Sequence, residues 1–367
     1  MKNLFIAFLS LVVAFVAGEF ALRLTLDEVN YMVPIIERDP VLGHVIAPGT
    51  GGHDAWGFRN IELPQSADVV AIGDSMTYGY SATASQSWPS QLASLSGLQV
   101  YNLGLGGYGM VQYHHLFNDR ALSLDPKVVL ISIYLGNDLI DTYRGATGFD
   151  YVEGLERGET DGRFLGSFRV WMSKHVLTWQ VLKHELEDVV NILRAAESSE
   201  AERPGLYHMD HPVLRTAFLP SCCYQALNPD NPEIKRGLEI IFEKLEAIKS
   251  TCGEQAIDCK VLLVPTKESV LWPVAKDILS GDALTEVGRL VTAEAAMAKV
   301  LATKLDEIGL PYLDLLAPMQ GRAQTESLYL ANDDGHPNAK GYGVIAQVVL
   351  EWLQGSKAMV SRKATSS

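Results

Sequence analysis

The sequence predicts an α/β protein, a three-layer α/β/α sandwich with a mostly parallel five-stranded sheet and a helical insertion. Three observations carry that prediction. Short, almost wholly apolar runs recur along the chain, and strands without polar alternation are buried on both faces, as in parallel sheets. Segments of helical period separate those runs, the order that parallel crossover connections require. With 47% hydrophobic and 20% charged residues among 367, the chain has material for a large core and is neither disordered nor collagen-like in composition.

The N-terminal residues 1–25 stand apart from that body. After Lys2, residues 4–18 read LFIAFLSLVVAFVAG, with Ser10 the one polar side chain. The run is short for a free-standing span of about twenty residues and suits the apolar region of an export signal. The apolar pattern resumes past Glu19 through Phe20, Ala21, Leu22, Leu24 and Leu26, and Arg23 is long enough to snorkel. A signal anchor within residues 4–26 and a cleaved signal peptide both fit. A buried helix is disfavoured because no polar face is present. Either way the chain is expected to be exported, to the periplasm or the extracellular space. Residues 26–66 are rich in Pro and Gly, keep no period, and read as an irregular extension.

The ordered body is expected over residues 67–355. Apolar strands are predicted at 69–72, 98–103 and 128–134, with helical material at 88–95 and 111–122 between them. A fourth strand at 260–264 is stopped by Pro265. The helix before it has Asn231 to cap and Pro232 in its first turn, then Ile234, Leu238, Ile241, Leu245 and Ile248 along one side. A helix over 285–308 leads through Gly309 to a fifth strand at 312–315, and a last helix covers 338–353. The interval between the third and fourth strands far exceeds an ordinary crossover. An insertion at about 143–232 is therefore expected, polar at 145–162, helical over 164–193 and a charged linker at 197–204. Residues 356–367 read as a loose tail.

Charge and cysteine content narrow the partners. Thirty basic residues against 44 acidic ones give a net charge of −14, which repels phosphate backbones and argues against a nucleic-acid partner. A mean hydropathy of +0.08 is too low for a polytopic membrane protein, so membrane contact is expected only through the N-terminal segment. Nothing in the sequence fixes the oligomeric state. Cys222, Cys223, Cys252 and Cys259 cluster in one stretch, which in an exported chain points to two disulfides. Adjacent Cys222 and Cys223 bridge each other only with strain, so each is expected to reach Cys252 or Cys259. Their spacings lack the two-residue knuckle of a zinc site.

Four stretches carry residues suited to chemistry. Gly73-Asp74-Ser75-Met76-Thr77 follows the first strand, and sites in parallel α/β sheets form at the carboxyl ends of strands. A serine there can be exposed for attack, with its own N–H aimed at a developing oxyanion. A turn or helix cap built from Asp74 or Ser75 is the bland alternative. After the second strand, Gly104, Gly106 and Gly109 spell G-x-G-x-x-G within Asn102-Leu103-Gly104-Leu105-Gly106-Gly107-Tyr108-Gly109. The motif follows the wrong strand for a dinucleotide site, and Asp138 lies too far on for a ribose acid expected about twenty residues away. A loop of backbone donors for an oxyanion fits better. Gly136-Asn137-Asp138 ends the third strand, where a fixed Asn amide can add about 3–4 kcal/mol of transition-state stabilisation. Asn332-Asp333-Asp334-Gly335-His336-Pro337-Asn338 precedes the last helix. An acid two or three residues before a histidine can hold the imidazole in the tautomer that accepts a serine proton.

In that combination and order, the four stretches resemble the sequence blocks of the SGNH, or GDSL-type, hydrolase superfamily of esterases and acyl-modifying enzymes. The resemblance covers about residues 67–353 outside the insertion. Asp39-Pro40-Val41-Leu42-Gly43 and Trp56-Gly57-Phe58-Arg59 resemble a prefix of its membrane-anchored or secreted bacterial members. Val264-Pro265-Thr266-Lys267-Glu268 resembles a strand-end segment of the same subgroup, which includes relatives of polysaccharide O-acetyltransferases. The resemblance implies a flavodoxin-like fold, Ser75 as nucleophile and His336 as general base. It also implies oxyanion donors in the Ser75 and Gly107 N–H groups and the Asn137 side chain, with Gly104 as the fallback for Gly107. The usual three-residue spacing selects Asp333 as the acid and is taken first, whereas the two-residue spacing of some members selects Asp334. No metal or organic cofactor is implied. The expected reaction is cleavage of a small-molecule or glycan-linked carboxylic ester through an acyl-enzyme. Acetyl transfer to, or removal from, a cell-envelope polysaccharide is the rival, and a non-catalytic carbohydrate-binding envelope protein is the rival of another class. Thr77 stands where the α/β-hydrolase elbow needs glycine, which argues against that fold.

Overall fold

The computed structural model describes residues 2–148, 164–183, 186, 204–211 and 214–355. The chain divides into two compact units. One comprises residues 1–39, 44–63 and 150–201, and the other residues 40–43, 64–149 and 202–367. Residues 149–162 of the expected polar stretch, residues 187–193 of the expected helix, most of the charged linker and the tail at 356–367 lie outside the described residues.

The first unit begins with α1 (Lys2–Thr25), in which no residue is buried and which is long and apolar enough to cross a membrane. The extension read as irregular contains a two-stranded sheet, β1 (Ile36–Asp39) and β2 (Gly43–Ile46). These strands are too short to show a period, and the connection depends on Gly43, whose φ of +81° is a conformation that glycine adopts without strain.

The second unit holds the sheet. Its strands β3 (Val69–Gly73), β4 (Val100–Gly104) and β5 (Val128–Tyr134) alternate with α2 (Ser75–Tyr78), α3 (Trp88–Ser96) and α4 (Met110–Leu116). After β5 come α5 (Asp138–Thr147) and, in the first unit, α6 (Phe164–His175). The helix expected over 164–193 is interrupted at Val176 and restarts over 177–183. The restart has a specific cause: Glu19 of α1 accepts the N–H groups of Leu177 and Thr178 at 3.0 and 2.8 Å, and the Thr178 hydroxyl at 2.7 Å. The chain returns to the second unit with an antiparallel pair, β6 (Tyr207–Met209) and β7 (Thr216–Phe218), and the helix α7 (Pro220–Leu227). Helix α8 (Pro232–Gln255) is capped by the Asn231 side chain, as its sequence predicts. It leads to β8 (Asp258–Val264), α9 (Lys267–Ala275), α10 (Gly281–Ile308), β9 (Tyr312–Asp314), α11 (Leu316–Ala323) and α12 (Ala339–Gly355).

The five strands pair in the order β4-β3-β5-β8-β9, all parallel. Every residue of β3 and β5 is buried, which is why these strands are continuous apolar runs in the sequence. Alternate residues serve opposite faces. Val69, Ala71, Val128, Leu130 and Leu262 join Trp88 and Leu92 of α3, Met319 of α11 and Tyr342 and Ile345 of α12 in one core. On the other face α4, α5 and α8 pack together. The predicted α/β class and sheet are those observed.

The expected disulfide pairing is not. Cys252 bridges Cys259 across 6.1 Å between Cα atoms, while Cys222 and Cys223 are free thiols on α7. Ala256 adopts a left-handed conformation after α8 and reverses the chain, so that β8 returns Cys259 beside the last turn of the helix it has just left. Proximity along the chain decides the pairing, and no thiol remains for α7.

Candidate active site

Parallel pairing assembles the site from distant stretches. Gly73 is in register with Gly104, and Ile72 with Ile131, so β4, β3 and β5 end at one edge of the sheet. The chain leaves β3 toward neighbours on either side, which opens the crevice where α/β proteins place their ligands. Ser75, the 104–109 loop and Asn137 follow these three ends directly. Close packing sets the turn after β3. A Cβ on Gly104 would strike the Thr77 and Tyr78 backbone. Asn102 then ties the two loops, donating to the Thr77 carbonyl at 2.9 Å and accepting the Gly104 N–H at 2.8 Å.

Ser75 opens α2, a single turn whose N-terminus is capped by Asp74. The side chain of Ser75 is buried, and its Oγ lies 2.8 Å from His336 Nε2. His336 Nδ1 lies 2.6 Å from Asp334 Oδ1. Of the two candidate acids, the imidazole therefore meets Asp334 and not Asp333, the one taken first from the sequence. The reason is a local turn: Asp334 Oδ1 also accepts the backbone N–H of His336 at 3.0 Å, which folds the carboxylate back onto the ring two residues ahead. Burial opposes ionisation of Asp334, but hydrogen bonds from His336 and from the Ser81 hydroxyl outweigh it and hold the carboxyl well below the usual range.

The loop carrying Asp334 is fastened from beneath by a residue to which the sequence assigned no role. Lys267 is fully buried, and its Nζ donates to the carbonyls of Ala217, Asn332 and Asp334 at 2.6, 3.0 and 3.0 Å. The Ala217 N–H and the Thr216 hydroxyl both donate to the Asn332 carbonyl, so β7 of the insertion, α9 and the histidine loop form one polar junction. On the other side, the Tyr80 ring stands edge-on to the imidazole with centroids 5.4 Å apart. A Cβ on Gly106 would lie 2.8 Å from that ring, which explains why glycine precedes Gly107.

Two of the expected oxyanion donors make no protein hydrogen bond among the described residues. The Gly107 N–H has no acceptor there, and its φ of +78° needs glycine. Asn137 is half-buried, and its Oδ1 is buried without a partner.

Buried carboxyls surround this edge, at a depth that no local pattern reveals. Burial pushes Asp74 up to about 6, against hydrogen bonds from Met76 and Ser75 and the attraction of His336. Burial likewise raises Asp141 to about 7 and Asp138 well above the carboxylate range, although Tyr113 and the Tyr134 N–H donate to Asp138 at 3.1 and 3.0 Å. Among the described residues no group of three His, Cys, Asp or Glu side chains is placed to hold a metal ion. Ser75 Oγ also lies 3.3 Å from Asp74 Oδ2. The shorter approach is to His336, and a serine has one proton to give. The arrangement can therefore move that proton from Ser75 to an imidazole backed by a carboxylate.

The model of the GDSL-like lipase/acylhydrolase family matches residues 71–344, more than half of the chain. Among solved structures, the chain is similar to an extracellular lipase from Streptomyces rimosus at 12% identity, over 78% of this chain and 99% of that one, with a TM-score of 0.42. It is similar to a catalytic mutant of an acetylxylan esterase from Geobacillus stearothermophilus at 13% identity, over 82% and 99%, with a TM-score of 0.41. It is also similar to a lipase/acylhydrolase from Enterococcus faecalis at 14% identity, over 78% and 95%, with a TM-score of 0.36. No curated protein sequence matches.

Proposed function

Because the chain belongs to the GDSL-like lipase/acylhydrolase family and is a hydrolase of ester bonds, we propose that Ser75, His336 and Asp334 carry that hydrolysis outside the cytoplasm. The observation that supports the reading most is the unbroken hydrogen-bonded line from Ser75 Oγ through both ring nitrogens of His336 to Asp334. Ser75 Oγ attacks the ester carbonyl while His336 Nε2 takes its proton, and Asp334 steadies the imidazolium that forms. The N–H groups of Ser75 and Gly107 and the amide of Asn137 donate to the tetrahedral oxyanion. Collapse expels the alcohol, protonated by His336, and leaves the acyl group on Ser75. Water, deprotonated by the same imidazole, then releases the acid.

The ester is small or glycan-linked. The helix α1, long and apolar enough to cross a membrane, supports export, as a signal anchor or as a cleaved signal peptide. The Cys252–Cys259 bridge fits an oxidising compartment.

The test is Ser75→Ala, assayed on p-nitrophenyl acetate with circular dichroism as the folding control. Turnover and labelling by a fluorophosphonate probe should both vanish while the spectrum is unchanged. Retained turnover would remove Ser75 from its role.

A further inference from the structure

We propose that Ser81 is a positioning residue for the acid of this site, an inference that rests on the esterase reading above. Asp334 shares its two carboxylate oxygens between two partners. Oδ1 faces the imidazole, and Oδ2 accepts the hydroxyl of Ser81, a residue 253 positions earlier in the chain. Both oxygens being engaged, the carboxylate cannot swing about its terminal bond, and its plane stays aligned with His336 Nδ1.

The backbone at Ser81 argues that the hydroxyl is the reason for a serine there. Its φ is +64°, and the other described non-glycine residues in this region are Asp125 and Ala256. Each of those two ends a helix, where a left-handed residue is ordinary. Ser81 ends none, because Gly79, at φ +90°, already terminates α2. Glycine would satisfy this conformation without strain, and strain held at a site points to function when the surroundings enforce it. They do so here. The Tyr80 N–H donates to the Ser75 carbonyl at 3.2 Å, and the Tyr342 hydroxyl donates to the Tyr80 carbonyl at 3.0 Å. The Tyr80 ring meanwhile rests against His336. One short segment thus touches both the base and the acid.

The test compares Ser81→Gly and Ser81→Ala with the full-length parent on p-nitrophenyl acetate, with Ser75→Ala as a control. Both substitutions remove the hydroxyl, but only glycine also relieves the left-handed strain. We expect kcat to fall at least tenfold in both with KM within twofold, and labelling of Ser75 by a fluorophosphonate to slow in parallel. Ser81→Gly should melt no lower than the parent, a combination that a merely structural residue would not give. A Ser81→Gly protein with parental kcat overturns the proposal, as does a rise in KM at constant kcat, which would make Ser81 a substrate contact. A lower Tm in Ser81→Gly overturns the strain argument. Turnover retained by Ser75→Ala would instead sink the esterase reading on its own, whatever the Ser81 variants do.

Discussion

Replacing Asp334 by Asn, with Asp333→Asn beside it, tests which acid serves the histidine. The structure fixes how the new amide sits. Asp334 Oδ1 accepts both the ring Nδ1–H and the backbone N–H of His336, so the amide oxygen takes that place and the NH2 turns toward Ser81, whose hydroxyl can rotate to accept. The imidazole then keeps its tautomer and loses only the negative charge beside it. With Nδ1 and Oδ1 2.6 Å apart, the charge centres are roughly 4 Å apart, and at an effective dielectric constant of about 20 the lost attraction is about 4 kcal/mol. That corresponds to about a thousandfold in kcat. KM should hardly move, because the imidazolium exists only as the reaction proceeds. Were the amide to turn its NH2 to the ring, the wrong tautomer would form and the loss would approach about ten thousandfold. Asp333→Asn should stay within about threefold of the parent, since His336 Nδ1 is already engaged by Asp334. Initial rates on p-nitrophenyl acetate for both proteins give the answer. A larger loss in Asp333→Asn than in Asp334→Asn, or a loss under tenfold in Asp334→Asn, would refute the reasoning.

Two further outcomes are expected. Burial raises Glu294 to about 7 although the Thr266 N–H, the Thr266 hydroxyl and the Ser269 hydroxyl donate to it. A carboxyl raised on folding contributes stability that is complete below its unfolded value, near 4.5, and is lost as pH rises through about 7. Glu294→Gln should therefore gain on the parent by about 3 kcal/mol between pH 4.5 and pH 8, read from urea midpoints of both proteins across that range. Parallel curves would refute it. Thiol titration of the unreduced, denatured chain should find Cys222 and Cys223 reactive and Cys252 and Cys259 not. No reactive thiol would mean that α7 carries a second bridge.

The sheet was legible because its strands are buried on both faces: Val69 to Ile72 and Val128 to Tyr134 have no polar alternation that another fold could use. The same physics hid β1, β2, β6 and β7, which are too short for a period to emerge and are defined by partners far along the chain. The restart at Leu177 was likewise invisible. Nothing near residue 176 breaks a helix, and the carboxylate that caps the new one sits at Glu19.

Within the site, legibility divides along the same line. Ser75, Gly107, Asn137 and His336 each follow a strand end or precede a helix, so local pattern singles them out. The choice between Asp333 and Asp334 depends on which carboxylate a turn folds toward the ring, and spacing along the chain leaves both within reach. Ser81 and Lys267 act only through the distant loop at 332–336. A serine after a tyrosine and a lysine after a threonine have no local signature, and it takes the fold to turn one into a donor for Asp334 and the other into a buried clamp. The residues proposed to react are therefore readable from strand order. Those that hold them in place become visible only where two remote stretches share a hydrogen bond, and Ser81 can be separated from mere packing because its backbone would be better served by glycine.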